Sequence, residues 1–188
     1  MPRLAAAVLV AVAAAGCGGS DDEARRPART PAAAVQGPLC DLLPSGDDPG
    51  APATLAGEPA AVVLTWIPVI TTFEAAVRAA GMAPELDAVT ILAPTDDAFN
   101  RAFNRARLDQ LLLSRRRELR ALLEAHVIAG TLSLADLRTA ERVRTLAGET
   151  IDVAPARRMV RLDDRAQTVC ADYRASNAKI YVIDGVLR

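Results

Sequence analysis

The apolar positions along this chain change their period partway. In "TTFEAAVRAAG", residues 71–81, Phe73, Ala76, Val77 and Ala80 fall on one helical face. Thr71 or Thr72 serves as the cap and Gly81 as the stop. "GEPAAVVLTW", 57–66, predicts an earlier helix with Pro59 at its first position, interrupted by Pro68. "AVTILAP", 88–94, is a β-branched run stopped by proline, which predicts a short buried strand. "TDDAFNRAF", 95–103, then starts a helix with Thr95 as N-cap. Asp96 and Asp97 lie in its first turn, where negative charge suits the helix dipole, and Ala98 and Phe99 turn toward the core. "RLDQLLLSRRRELRALLEAH", 107–126, reads as two helices, with Ser114 capping the second. Leu119, Leu122, Leu123 and His126 recur at i, i+3, i+4 and i+7, so His126 ends an apolar face.

After a short helical turn in "LSLADL", the period drops toward two. "VRTLAGETIDVA", "MVRLDD" and "TVCADY" predict short strands. "AKIYVIDGVL", 178–187, alternates at full length: Ile180 and Val182 on one face, Tyr181 and Ile183 on the other. Two apolar faces imply a central strand. Helices in the first half and strands in the second predict an α+β domain rather than alternating βαβ units.

The start of the chain follows other rules. Residues 1–16, "MPRLAAAVLVAVAAAG", have a positive start and an uncharged apolar stretch from Leu4 to Ala15. The stretch is too short to span a bilayer and matches a secretory signal. "AAGC" resembles a bacterial lipobox in which Cys17 is lipidated, although leucine usually stands where Ala14 does; ordinary cleavage after Ala15 also fits. Residues 17–37 are Gly, Ser, Pro, Ala and charge without apolar periodicity, which predicts a disordered tether. Three cysteines in an exported chain leave one odd thiol. If Cys17 carries lipid, Cys40 and Cys170 remain to pair in an oxidising compartment; the alternative is two buried thiols. Residues 38–188 suffice for one domain with its own core.

Charge and composition narrow the function classes. The formal net charge is −1, so nothing points to nucleic acid as a partner. Basic charge is almost all arginine, with Lys179 the one lysine. Arg115, Arg116, Arg117 and Arg120 fall mostly off the apolar helix face and read as a solvated face, with a basic binding patch as the alternative. Asp96 and Asp97 read as first-turn residues rather than a metal site, because a divalent ion needs more oxygen ligands than this turn offers. Asp172, Tyr173, Arg174 and the arginines at 115–117 are candidate surface contacts.

Three motifs in order resemble the fasciclin (FAS1) family. "TILAPTDDAF", 90–99, is similar to its first signature and "NAKIYVIDGVL", 177–187, to its second. "LLEAHVIAG", 122–130, occupies its central Tyr-His position. The resemblance covers roughly residues 38–188, and the paired cysteines make the chain look like the exported fasciclin lipoproteins and secreted antigens of actinobacteria. It implies a wedge-shaped β-sandwich with several helices packed along it. It also implies a cell-surface protein that works by binding, in adhesion or cell contact, without catalysis and without a cofactor general to the family. Thr95, His126, Asn177 and Asp184 are then structural motif positions, with His126 bonded near the first signature to Thr95 or a neighbouring backbone group. Two departures stand out. Ala125 replaces the tyrosine that often precedes the histidine, so the integrin contact of animal members does not carry over. The usual Asn-Gly is Asn177-Ala178, leaving Asn177 to hold any left-handed turn alone.

His126 is the only histidine, which rules out a multi-histidine metal site. There is no G-x-S-x-G elbow, so a hydrolase would need a serine or carboxylate brought to His126 by the fold. The expected partners are the membrane, through a lipid at Cys17, and a protein or polysaccharide surface. The expected location is the outer side of the cell membrane. Capture of a small apolar or carbohydrate ligand between helices and sandwich is the alternative.

Overall fold

A computed structural model describes residues 35–188 of the chain. The leader, Cys17 and the 17–37 tether up to residue 34 lie outside the described residues. The first half is helical: α1 (Pro52–Leu55), α2 (Ala60–Thr65), α3 (Thr71–Ala80), then β1 (Val89–Pro94), α4 (Asp96–Ala102), α5 (Arg105–Leu113) and α6 (Arg116–Glu124). β2 (Val127–Ala129) and α7 (Leu134–Thr139) follow. The second half is β3 (Arg142–Arg144), β4 (Thr150–Ala156), β5 (Met159–Leu162), β6 (Ala166–Arg174) and β7 (Ala178–Ile183).

The strands form one seven-stranded sheet in the order β2-β1-β7-β6-β5-β4-β3. β1 and β7 run parallel, and every other pair is antiparallel. The two edges come together. Ile128 of β2 bridges to Thr145 just after β3, and the Leu146 N–H donates to the Val127 carbonyl at 2.7 Å. Closure of this kind removes free strand edges. Alternation along the central strands then divides the apolar residues between two cores. Val89, Ile91 and Ala93 of β1 and Ile180 and Val182 of β7 face the helices, where they meet Phe73, Phe99, Leu119 and Leu123. Leu92, Tyr181 and Ile183 face the other way, against Ile151, Val160, Leu162 and α7 residues Leu134 and Leu137. The domain is α+β, as its periodicity predicts.

The caps show where local reading holds and where it fails. The Thr95 hydroxyl accepts from the Ala98 N–H at 3.1 Å, as its N-cap position requires. Gly81 ends α3 in the left-handed region at φ 68°, where a side chain is strained. Pro59 lies one place outside α2, as its N-cap. Ser114 does not cap α6. It closes α5 instead, with its hydroxyl donating back to the Gln110 carbonyl at 3.0 Å. Neither Thr71 nor Thr72 caps α3; the Asp96 carboxylate does so from another helix. It accepts from the Thr72 N–H at 2.7 Å, the Thr71 N–H at 3.2 Å and the Thr71 hydroxyl at 2.9 Å. Asp96 thus serves two helix N-termini, its own and that of α3.

Ordered pairing begins at Gln36, inside the segment that composition assigns to the tether. Gln36 exchanges two backbone hydrogen bonds with Ala171 of β6, at 3.1 and 2.7 Å. Next to this bridge, Cys40 and Cys170 are joined by a disulfide with Cα atoms 5.1 Å apart. Their sequence separation of 130 residues makes the closed loop most of the domain. Both cores, the seven-stranded sheet and the disulfide are built from the described residues. Replacing both Cys40 and Cys170 with alanine is expected to cost roughly 2–5 kcal/mol, because so long a loop regains its entropy when unfolded. Urea unfolding of the oxidised protein against the double variant measures this. Equal midpoints would mean the bond does not constrain the unfolded chain.

Candidate functional site

His126 stands where α6 gives way to β2 and is fully buried. Its ring is committed on both sides. Nε2 accepts a hydrogen bond from the Leu187 backbone N–H at 2.9 Å, and Nδ1 lies 2.7 Å from the Leu122 carbonyl oxygen. An N–H can only donate, so Nε2 carries no proton, and a carbonyl can only accept, so Nδ1 does. The geometry selects the neutral ring and one tautomer. Burial drives its pKa down from 6.5 to about 4, against the smaller opposing effect of the hydrogen bond to Leu122. The backbone adds a third tie, since the His126 carbonyl accepts from the Leu92 N–H of β1 at 2.8 Å. Phe73 packs beside the ring with centroids 6.3 Å apart. Of the two partners expected from sequence, Thr95 or a backbone group, the ring bonds backbone groups; they lie in α6 and at the end of the second signature rather than near the first, and the Thr95 hydroxyl accepts in the α4 cap.

Asn177 and Asp184 are also ties between distant segments. The Asn177 side chain accepts from the Ala60 N–H at 2.8 Å and donates to the Leu86 carbonyl at 2.9 Å. Its backbone φ is not positive; the left-handed residue of this region is Asp172, at φ 67°. The Asp184 carboxylate accepts from the Gln167 N–H at 2.7 Å, and its carbonyl accepts from Arg101 at 2.6 Å. Gly185 follows because a Cβ there would lie 2.2 Å from the Arg165 carbonyl oxygen.

On the far side of the His126 ties lies an open cleft of about 620 Å³ between α4, α5 and α6. Phe103, Leu111, Leu122, Ala125 and Leu187 give it an apolar lining. Arg107, paired with Glu118, and Arg188, stacked 5.1 Å above the Phe103 ring, give it a charged rim. His126 does not line it. Leu122 and Leu187, which accept from and donate to the ring, stand between.

The candidate surface contacts at 172–174 are withdrawn from the surface. Tyr173 is buried, with its hydroxyl donating to the Gly50 carbonyl at 3.2 Å and its pKa pushed up to about 12 by burial. Asp172 is buried against Lys179. Arg174 is half-buried. The exposed aromatic is Trp66, 46% accessible, beside exposed Val62 one helical turn earlier. The sequence carries a signal for it, since Trp66 and Val62 are four apart on a helix that Pro68 cuts short. Among the described residues, no three His, Cys, Asp or Glu side chains are placed to hold a metal ion.

The described residues thus form a closed sheet with helices packed against it, and the chain's only imidazole is neutral and sealed inside. The sequence matches the model of the Fasciclin domain over residues 68–188, and the chain belongs to the fasciclin family. It is similar to Protein sll1483 of Synechocystis sp., with 36% identity over 121 residues, 62% of this chain. It is also similar to a solved FAS1 domain pair from the insect cell adhesion molecule Fasciclin I, at 24% identity and a TM-score of 0.49 over 63% of this chain. The chain spans 66% of the length of the first relative and 45% of the second. The family match begins at Pro68, so the disulfide-bonded arm from Gln36 to Ile67 precedes it, whereas the resemblance read from the sequence extends over roughly residues 38–188. Fasciclin domains are in general adhesion-type binding domains.

The sealed ring makes stability depend on pH in a defined direction. The folded protein resists protonating His126, whereas the unfolded chain protonates it near pH 6.5. Its contribution is therefore complete above about pH 6.5 and lost as pH falls through about 4. The full loss is about 3 kcal/mol by linkage. Chemical denaturation between pH 7 and 5 is expected to show this slope in the wild type and a shallower one in His126→Gln, which is also less stable at pH 7. Identical slopes in the two proteins would mean the ring is not held neutral.

Proposed function

We propose that this protein is a fasciclin lipoprotein held outside the cell membrane by an acylated Cys17, acting without catalysis in adhesion or cell-envelope interaction. The observation that carries the reading is His126. It is the chain's one side chain whose ordinary pKa lies near neutrality, and both its ring nitrogens are spent on backbone partners beneath the surface. Among the described residues, the imidazole is therefore not presented at the surface for proton transfer. The Cys40–Cys170 disulfide suits an oxidising compartment, which supports a location outside the cytoplasm. The partner is a protein or polysaccharide surface, and Trp66 with Val62 is the most contact-ready apolar pair for it.

The tether is tested by intact mass of the protein from its native membrane fraction, before and after reduction with thiol labelling. A diacylglyceryl-sized addition on a chain starting at Cys17, with no labelled thiol before reduction, is the expected result. An unacylated species found only in the culture medium would sink the anchored reading.

The cleft favours a second reading, in which a small apolar ligand occupies the apolar lining around Leu122 and Ala125. Thermal unfolding with pooled fatty alcohols and other amphiphiles should then show a rise in Tm. Ala125→Tyr, which restores the bulk the family often carries there, should abolish that rise. A shift that survives the tyrosine would place the ligand elsewhere.

A further inference from the structure

The elbow between α5 and α6 has a different character from the rest of the surface. From Arg105 to Arg120 the chain carries six arginines and two carboxylates, a net +4 along the stretch in a protein whose formal net charge is −1, although Arg120 at its end is paired with Glu85 and Glu124. The remainder is accordingly acidic. At the tip of the elbow Leu113 is 84% accessible, the highest value among the exposed large apolar side chains. Ser114 and exposed Arg115, Arg116 and Arg117 follow it directly. Their side chains are not all equally free. Arg116 donates to the Ala80 carbonyl at the end of α3, at 3.2 and 3.3 Å. Arg115 is 3.9 Å from Glu118, a distant pair on an exposed surface, and Glu118 is already bound by Arg107. Arg117 makes no ion pair among the described residues.

We infer that this elbow docks on an anionic phospholipid surface, with Leu113 entering the headgroup region and Arg115 and Arg117 contacting lipid phosphates. An exposed leucine beside solvated cations is unfavourable in water and suited to an interface, where the apolar chain leaves water and the cations meet negative charge. Guanidinium groups also match phosphate oxygens through paired N–H donors. The same arginines without the leucine would suit any polyanion, and the leucine is what favours a bilayer over a soluble polymer. Such docking would fix which face of a tethered domain points outward and leave Trp66 and the cleft to be tested as the outward contacts. This rests on the reading that the domain works beside a membrane, but its test does not need the acyl group.

The test uses the chain from Gly18 to Arg188, without leader or Cys17, sedimented with phosphatidylcholine vesicles with and without phosphatidylglycerol. Binding is expected only with phosphatidylglycerol and should fall as salt rises. The double variant Arg115→Glu/Arg117→Glu is expected to bind on the order of tenfold or more weakly with an unchanged Tm. Leu113→Ser should bind vesicles several-fold more weakly, while leaving any binding to soluble polyphosphate unchanged. Absence of binding to phosphatidylglycerol vesicles, or full binding by the double variant, would overturn the proposal. So would arginine-dependent binding to polyphosphate without vesicle binding, which would make the elbow a reader of free phosphate chains. A Leu113→Ser protein that sediments like the wild type would overturn the insertion of the leucine. Because Cys17 is absent, none of these outcomes depends on whether the native protein is acylated.

Discussion

The two hydrogen bonds of the His126 ring tie the end of α6 to the segment beyond β7. One goes back to Leu122 in α6 and one goes forward to Leu187 beyond β7. The backbone of the same residue bonds Leu92 of β1. His126 is also the residue before β2, the strand whose bridge to Thr145 brings the two sheet edges together. The position of β2, and with it the closure of the sheet, follows from how α6 ends. A neutral imidazole suits the place because it is one donor and one acceptor at opposite corners of a rigid ring. A protonated ring would set two N–H groups against each other at Leu187, which is why burial and geometry favour the same protonation state.

Local features of the fold were legible in the sequence because their causes are local. Thr95 sits before a helix with acidic residues in the first turn, and it caps that helix. Phe73, Ala76, Val77 and Ala80 are spaced at the helical period, and all four are buried. Ile180 and Tyr181 alternate, and they enter different cores. The misreadings arose where a distant group supplied what the local sequence offered. Thr71 and Thr72 are good caps, but Asp96 takes their N–H groups from across the fold. Ser114 lies between two helices and could serve either, and its hydroxyl closes the one behind it.

The candidate site was legible to a lesser degree. A lone histidine at the end of an apolar face reads as structural, and it is buried. Its partner at Leu187 lies 61 residues away, and no periodicity reports a backbone donor at that range. Asn177 shows the same limit. Its type suggested a turn, while its side chain bonds Ala60 and Leu86, both far away in the chain. Asp172 and Tyr173 look like polar surface, but irregular register between β6 and β7 and a left-handed Asp172 turn both inward. What lines the cleft could not be read at all, because its residues come from helices, the β3–β4 turn and the end of the chain.

The same burial that seals His126 extends to other titratable groups, and this sets the character of the surface. Lys179, the only lysine, is held against buried Asp172 with its side chain 16% accessible. Both tyrosines are buried, and burial raises the pKa of each. What remains outside, among the described residues, is arginine and carboxylate. The reach of that charge is set by ionic strength. A partner that the charged surface recognises should therefore be gained or lost with salt. His126 responds to pH through the core, where falling pH works against the neutral ring that ties α6 to the segment beyond β7.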